Sequence, residues 1–142
     1  DLIDAYFSQF PKIKGFLDKI VDDATINTFT ETLYGRKRYI KELASSNFQL
    51  KAMGKRIAMN APIQGTASDI MKIAMIKLNK EIQKIKSTDL LLQIHDEIII
   101  QTPKESAQKV SQIVKKEMEG ASKLKVPLFV DIKENVDLSN LN

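Results

Sequence analysis

The chain has 142 residues, of which 43% are hydrophobic and 28% charged, the composition of a globular domain rather than a disordered, fibrous or membrane one. Its 22 Lys+Arg against 18 Asp+Glu leave a net charge of +4, which favours a polyanionic partner without establishing one. There is no cysteine, so disulfides, thiolate zinc sites and cysteine nucleophiles are excluded, and any metal must be held by oxygen or by His95.

Leu2, Ile3, Tyr6, Phe7 and Phe10 recur at helical spacing, and after Pro11 a second set follows at Ile13, Phe16, Leu17, Ile20 and Val21. Two amphipathic helices are expected, with Pro11 at a first helical position where its missing N–H costs nothing. From Thr28 to Ile40 the composition turns to Thr, Phe and Tyr, interrupted by Tyr34-Gly35, the pattern of a β-hairpin. Ser46 with Gln49 has capping-box form ahead of a helical pattern reaching about Lys86, and Pro62 inside it predicts a kink or break near Asn60 to Gly65. Ile70, Ile73, Ala74, Met75, Leu78 and Ile82 give the later part an apolar face.

Leu90 to Ile94 and Glu97 to Gln101 are apolar runs separated by His95 and Asp96 alone, which is the spacing of a tight hairpin. Thr102-Pro103-Lys104-Glu105 reads as a helix start with Thr102 as N-cap, and Gly120 as the stop. Leu128, Val130 and Ile132 alternate with Phe129, Asp131 and Lys133, the pattern of a last strand. The longest apolar runs fall far short of the roughly 18 residues that cross a bilayer, so no membrane partner is expected. The chain opens on Asp rather than Met and without a leader, and is expected to be a piece of a longer protein.

Three groups of residues could carry chemistry. His95-Asp96-Glu97 puts carboxylates at a hairpin tip, where one could hold Mg²⁺, a cation that takes oxygen ligands; the alternative is that Asp96 merely favours a turn. Arg56, Asn60 and Gln64 stand at i, i+4 and i+8, a stripe about 12 Å long on a regular helix. Such donors could follow the phosphates or minor-groove acceptors of a duplex, or could simply face solvent. Arg36, Lys37 and Arg38 beside Tyr34 and Tyr39 could grip a nucleic-acid backbone, or form a solvated charged hairpin.

Taken together, T-L-Y-G-R-K-R-Y from Thr32 to Tyr39, R-I-A-M-N-A-P-I-Q-G-T-A-S-D from Arg56 to Asp69 and L-L-Q-I-H-D-E from Leu91 to Glu97 resemble family A DNA polymerases, of the bacterial polymerase I type, in order and spacing. V-P-L at Val126 to Leu128 and E-N at Glu134-Asn135 extend the resemblance over nearly the whole chain. It implies an α+β fold, with residues 1–27 as distal fingers helices and residues 28–142 as the C-terminal part of the palm. It implies DNA-directed DNA polymerisation, with Asp96 as one of two aspartate ligands to a catalytic Mg²⁺ pair and Glu97 in support. His95 would contact the primer terminus, and Arg56, Asn60 and Gln64 the primer-template minor groove. The implied partners are primer-template DNA, deoxynucleoside triphosphates and the rest of a monomeric, cytoplasmic, nucleoid-associated bacterial polymerase.

The upstream D-Y-S-Q-I-E-L-R segment with the second aspartate and the fingers helix R-x-x-x-K-x-x-x-F-G-x-x-Y-G of that family do not occur here, so the isolated chain is expected to be inactive. Lys55, Gly54, Lys41 and Val136 depart from the family's usual pattern. Two other readings are a free-standing duplex-binding module derived from the palm, and a minimal metal-dependent phosphohydrolase using Asp96, Glu97 and Asp69.

Overall fold

The computed structural model describes residues 2–135, and these divide between Asp69 and Ile70 into two compact units. The fold is α+β, helices with two small antiparallel sheets.

In the first unit α1 (Leu2–Gln9) is followed by α2 (Pro11–Asn27), with Pro11 at the first position as the sequence requires. Thr28 closes α2 in the left-handed region at φ 66, its N–H donating to the Ala24 carbonyl over 2.9 Å. That reversal feeds directly into the expected hairpin. β1 (Phe29–Glu31) pairs antiparallel with β2 (Lys37–Tyr39) in the register Phe29 with Tyr39, Thr30 with Arg38 and Glu31 with Lys37. Because alternate strand residues share a face, Phe29, Glu31, Lys37 and Tyr39 stand on one side of the ribbon and Thr30 and Arg38 on the other. Gly35, at φ 77, supplies the positive angle in the connecting loop. The Thr32 hydroxyl accepts from the N–H groups of Tyr34 and Arg36, at 3.3 and 3.2 Å, and so holds the loop closed.

A 3₁₀ turn at Lys41–Ala44 leads to α3 (Phe48–Ile82). The cap of α3 is Asn47, not the expected Ser46: its side-chain oxygen accepts from the N–H of Gln49 at 2.9 Å and Leu50 at 3.3 Å, satisfying donors that the first helical turn leaves open. Nor does Pro62 break the helix, which runs through it as one element. Proline forfeits one backbone bond, and the carbonyl of Pro62 itself gains a second donor, the Thr66 hydroxyl at 2.6 Å. Ala24, Ile40, Leu43 and Ala58 form the core of this unit, with Ile20, Val21 and Ile57 packed against it.

In the second unit Ala74, Leu78 and Ile82 are the buried positions of the later part of α3, as its apolar face predicts. The helix ends at Ile82, a turn earlier than the pattern suggested. β3 (Asp89–Ile94) and β4 (Glu97–Gln101) form the expected hairpin, with Ile94 opposite Glu97 and a bulge between Leu90 and Leu92. α4 (Ala107–Glu119) follows a 3₁₀ turn at Lys104–Ser106 and stops at Gly120. Leu78, Ile82 and Val110 make the core, covered by Ile85, Leu90, Ile98, Ile100, Ile113 and Val114.

Two expectations fail in this unit. Thr102 does not cap a helix; its hydroxyl is 2.8 Å from that of the buried Thr88, and the pair closes the base of the β3–β4 hairpin. Residues 128–133 are extended in pattern but form no strand, because a strand exists only with a ladder partner and none among the described residues pairs with them. The Val130 N–H instead donates to Glu119 Oε1 at 3.1 Å. Val136, one of the departures from the family pattern, lies outside the described residues. No helix among the described residues is long and apolar enough to cross a membrane.

Candidate nucleic-acid interface

The hairpin of the first unit is bolted to α3 through one helical face. Pro62, Gly65, Thr66 and Asp69 stand at i, i+3, i+4 and i+7, the spacing that aligns side chains on one side of a helix. The Thr66 hydroxyl, while donating to the Pro62 carbonyl, accepts the Leu33 N–H at 2.9 Å. Arg36 reaches the same face twice: its Nε donates to Asp69 Oδ1 at 2.8 Å and its Nη2 to the Gly65 carbonyl at 3.1 Å. The Asp69 side chain is only 12% exposed, so this ion pair is largely withdrawn from water on the acid's side. Gly65 makes the approach possible, since a Cβ there would lie 2.7 Å from Thr32 Cγ2.

This docking creates a groove of about 490 Å³ between ribbon and helix, lined by Thr30, Glu31, Thr32, Arg36, Arg38, Met53, Arg56, Ile57, Asn60, Ala61, Gln64 and Gly65. Five residues singled out in the sequence therefore meet in one place: Arg36, Arg38, Arg56, Asn60 and Gln64. Arg38 is brought there by strand alternation, and Arg56, Asn60 and Gln64 by the i, i+4, i+8 stripe; all four are exposed. Among the described residues no acid forms an ion pair with Arg38 or Arg56. The groove thus presents uncommitted guanidinium donors beside amide donors, a chemistry suited to phosphate and base-edge acceptors.

Lys37 is placed differently. It projects from the opposite face of the ribbon, its Nζ 3.5 Å from Glu31 Oε1 and 4.2 Å above the Phe29 ring, whose edge meets Tyr39.

In the second unit His95 and Asp96 occupy the tip of the β3–β4 hairpin, and His95, Asp96 and Glu97 are all exposed. His95 adopts φ 53 in the left-handed region, and its carbonyl accepts from Gln93 Nε2 at 2.8 Å. A positive φ in a non-glycine residue costs on the order of 1 kcal/mol, and histidine is among the types that tolerate it. Asp96 lies in the turn and Glu97 opens β4, so two carboxylates follow one another at an exposed tip, and carboxylate oxygens are the donors a divalent cation such as Mg²⁺ takes. Among the described residues no group of three or more His, Asp or Glu side chains could hold a metal by itself.

Gly65, Thr66 and Thr32 escaped the sequence reading, and Asp69 entered it only as a catalytic carboxylate; the structure gives Asp69 an arginine partner instead. The signal was present as a face of proline, glycine and short polar residues where a helix usually carries apolar ones.

Fold and groove define the class: an α+β segment with an exposed groove that carries guanidinium and amide donors. Residues 1–138 match the model of DNA polymerase family A, and the chain belongs to that family. It is 49% identical over 141 residues to DNA polymerase I of Caldicellulosiruptor bescii, covering 96% of this chain and 16% of that protein. To the thermostable DNA polymerase I of Thermus aquaticus it is 38% identical over 130 residues, covering 92% of this chain and again 16% of the relative. Among solved structures it resembles the POL domain of Pol1 from M. smegmatis in complex with DNA primer-template and dNTP, with a TM-score of 0.85 and 38% identity over 89% of this chain and 22% of that one. The chain therefore spans about a sixth of the length of these curated relatives.

Proposed function

We propose that this chain is the C-terminal part of a DNA-directed DNA polymerase that extends a primer 3′-hydroxyl on a template strand in replication and repair. Residues 1–27 are distal fingers helices and residues 28–142 the C-terminal part of the palm. The observation that carries this reading is the convergence of Arg38, Arg56, Asn60 and Gln64 on one groove, in a chain that belongs to DNA polymerase family A. Its partners are primer-template DNA, deoxynucleoside triphosphates and the rest of a monomeric polymerase in the bacterial cytoplasm.

In this reading the helix stripe donates hydrogen bonds to the duplex minor groove, where Arg, Asn and Gln meet acceptors shared by every base pair. Arg38 supplies a phosphate contact from the ribbon. His95 meets the primer terminus from the hairpin tip. Asp96 is one ligand of a Mg²⁺ site completed by an aspartate elsewhere in the parent, and Glu97 supports it. When bound, the metal ions neutralise charge on the transferring phosphate. The strands on either side of the turn fix the Asp96 backbone, so that the carboxylate is held in position before substrate arrives. By itself this segment lacks the second acid and the nucleotide-binding helix, and is inactive.

The test is Asp96→Ala in the intact parent. Nucleotide incorporation is expected to be abolished while duplex binding persists; incorporation at a near-normal rate contradicts the assignment.

A further inference from the structure

We infer that Arg36 is a positioning residue for the duplex-facing stripe and not a ligand of DNA phosphate, an inference that rests on the function proposed above. Three of the hairpin's ties to α3 fall on the turn directly following Asn60 and Gln64. Arg36 Nε is on Asp69 Oδ1 at 2.8 Å, Arg36 Nη2 on the Gly65 carbonyl at 3.1 Å, and the Leu33 N–H on Thr66 Oγ1 at 2.9 Å. Gly65 is the residue next to Gln64, so the guanidinium grips the helix backbone one residue from the amide it positions.

The geometry separates the three basic residues of the ribbon by task. Lys37 is occupied by Glu31 and the Phe29 ring. Arg38 enters the groove without an acidic partner among the described residues. Arg36 spends one edge of its fork on a largely buried carboxylate and a helix carbonyl, and a planar fork can hold two such acceptors at once where an ammonium cannot. A phosphate would have to compete with Asp69 for this cation. Drawing Arg36 away would release the loop from the helix and leave a carboxylate with little access to water. The arrangement therefore serves to fix the ribbon, with Arg38 on it, in register with the Asn60–Gln64 face.

Positioning and phosphate contact make opposite forecasts for Asp69. If Arg36 holds DNA, removing the competing acid leaves extension intact or improves it; if Arg36 acts through Asp69, removing either partner does the same damage. The experiment compares Arg36→Ala, Arg36→Lys, Asp69→Asn and the Arg36→Ala/Asp69→Asn pair in the intact parent polymerase on a defined primer-template. Each single variant is expected to lower kcat/KM for extension about tenfold, with the double variant no worse than either single, as coupled partners behave. The ratio of matched to mismatched primer extension shifts in all of them, a readout that loss of global stability does not move. The salt dependence of duplex binding keeps its wild-type slope. The inference is overturned if Arg36→Ala lowers that slope by about one unit, as loss of a phosphate contact does, or if Arg36→Lys extends like wild type or Asp69→Asn leaves extension unchanged. Gln64→Ala is the control that separates the two layers. If it is silent in extension, the duplex-facing stripe itself fails; if it is impaired while the Arg36 and Asp69 variants are normal, only the positioning role fails.

Discussion

Gly65 on α3 and Thr32, the residue after β1, approach so closely that a methyl group on Gly65 would lie 2.7 Å from Thr32 Cγ2, with Arg36 Nη2 at 3.3 Å. The threonine cannot swing aside freely, since its hydroxyl accepts two loop N–H groups. Gly65→Ala gains up to about 1 kcal/mol of helix propensity and meets an overpacking cost of about 1–3 kcal/mol. A net loss of about 1 kcal/mol in hairpin docking is expected. Hydrogen exchange in residues 29–39 should quicken by about fivefold, the factor that corresponds to this energy; unchanged exchange would show that the loop has slack.

Thr66 is the second bolt, accepting from Leu33 N–H while donating to the Pro62 carbonyl. Thr66→Val keeps the shape and leaves the exposed Leu33 donor to water, at a cost of about 0.5–1.5 kcal/mol. Thr66→Ser keeps both bonds. The Leu33 amide should lose protection in the valine variant and keep most of it in the serine variant. Equal protection in both would remove Thr66 from the docking argument.

At the hairpin tip, stability and function are expected to part company. Glycine accommodates φ 53 without the steric cost that His95 bears, so His95→Gly should leave β3–β4 pairing as strong or slightly stronger. Primer extension by the intact parent should nonetheless fall, because the ring proposed to meet the primer terminus is gone. Exchange across residues 89–101 and extension kinetics, measured on the same variant, check the two halves separately.

Much of this was legible from spacing. The two-residue gap between Ile94 and Glu97 located the second hairpin, and Tyr34-Gly35 the first, because turn geometry is written in a few residues. The i, i+4, i+8 stripe placed Arg56, Asn60 and Gln64 on one face, since a helix fixes that relation locally. What spacing could not give was tertiary. Ser46 and Asn47 are both good caps, and the choice depends on the entry angle from Lys41–Ala44. Pro62 signals a break in isolation, yet the hairpin docked beside it supports the helix. Leu128 to Lys133 alternates like a strand, but pairing needs a neighbour that periodicity does not name. Arg36 and Arg38 are indistinguishable in the string R-K-R, and only packing against Asp69 assigns them different work.

Glycines at two helix positions should respond to the same substitution with opposite sign. In α2, Gly15 has nothing within 4 Å of the place a Cβ would occupy, so Gly15→Ala meets no obstacle and should stabilise the first unit by about 0.5–1 kcal/mol through helix propensity. In α3, a Cβ on Gly54 would stand 2.9 Å from the Leu43 nitrogen and 3.1 Å from the Glu42 carbonyl carbon. Those are backbone atoms of the 3₁₀ turn, and Leu43 is itself a core residue, so the turn can yield only by moving the core. Gly54→Ala should therefore destabilise by about 1–2 kcal/mol after the propensity gain is set against an overpacking cost of about 1–3 kcal/mol. Hydrogen exchange decides both halves: Gly15→Ala should slow it across residues 11–27, Gly54→Ala must quicken it across residues 40–58, and an alanine tolerated at residue 54 without that change would mean the turn is free to withdraw.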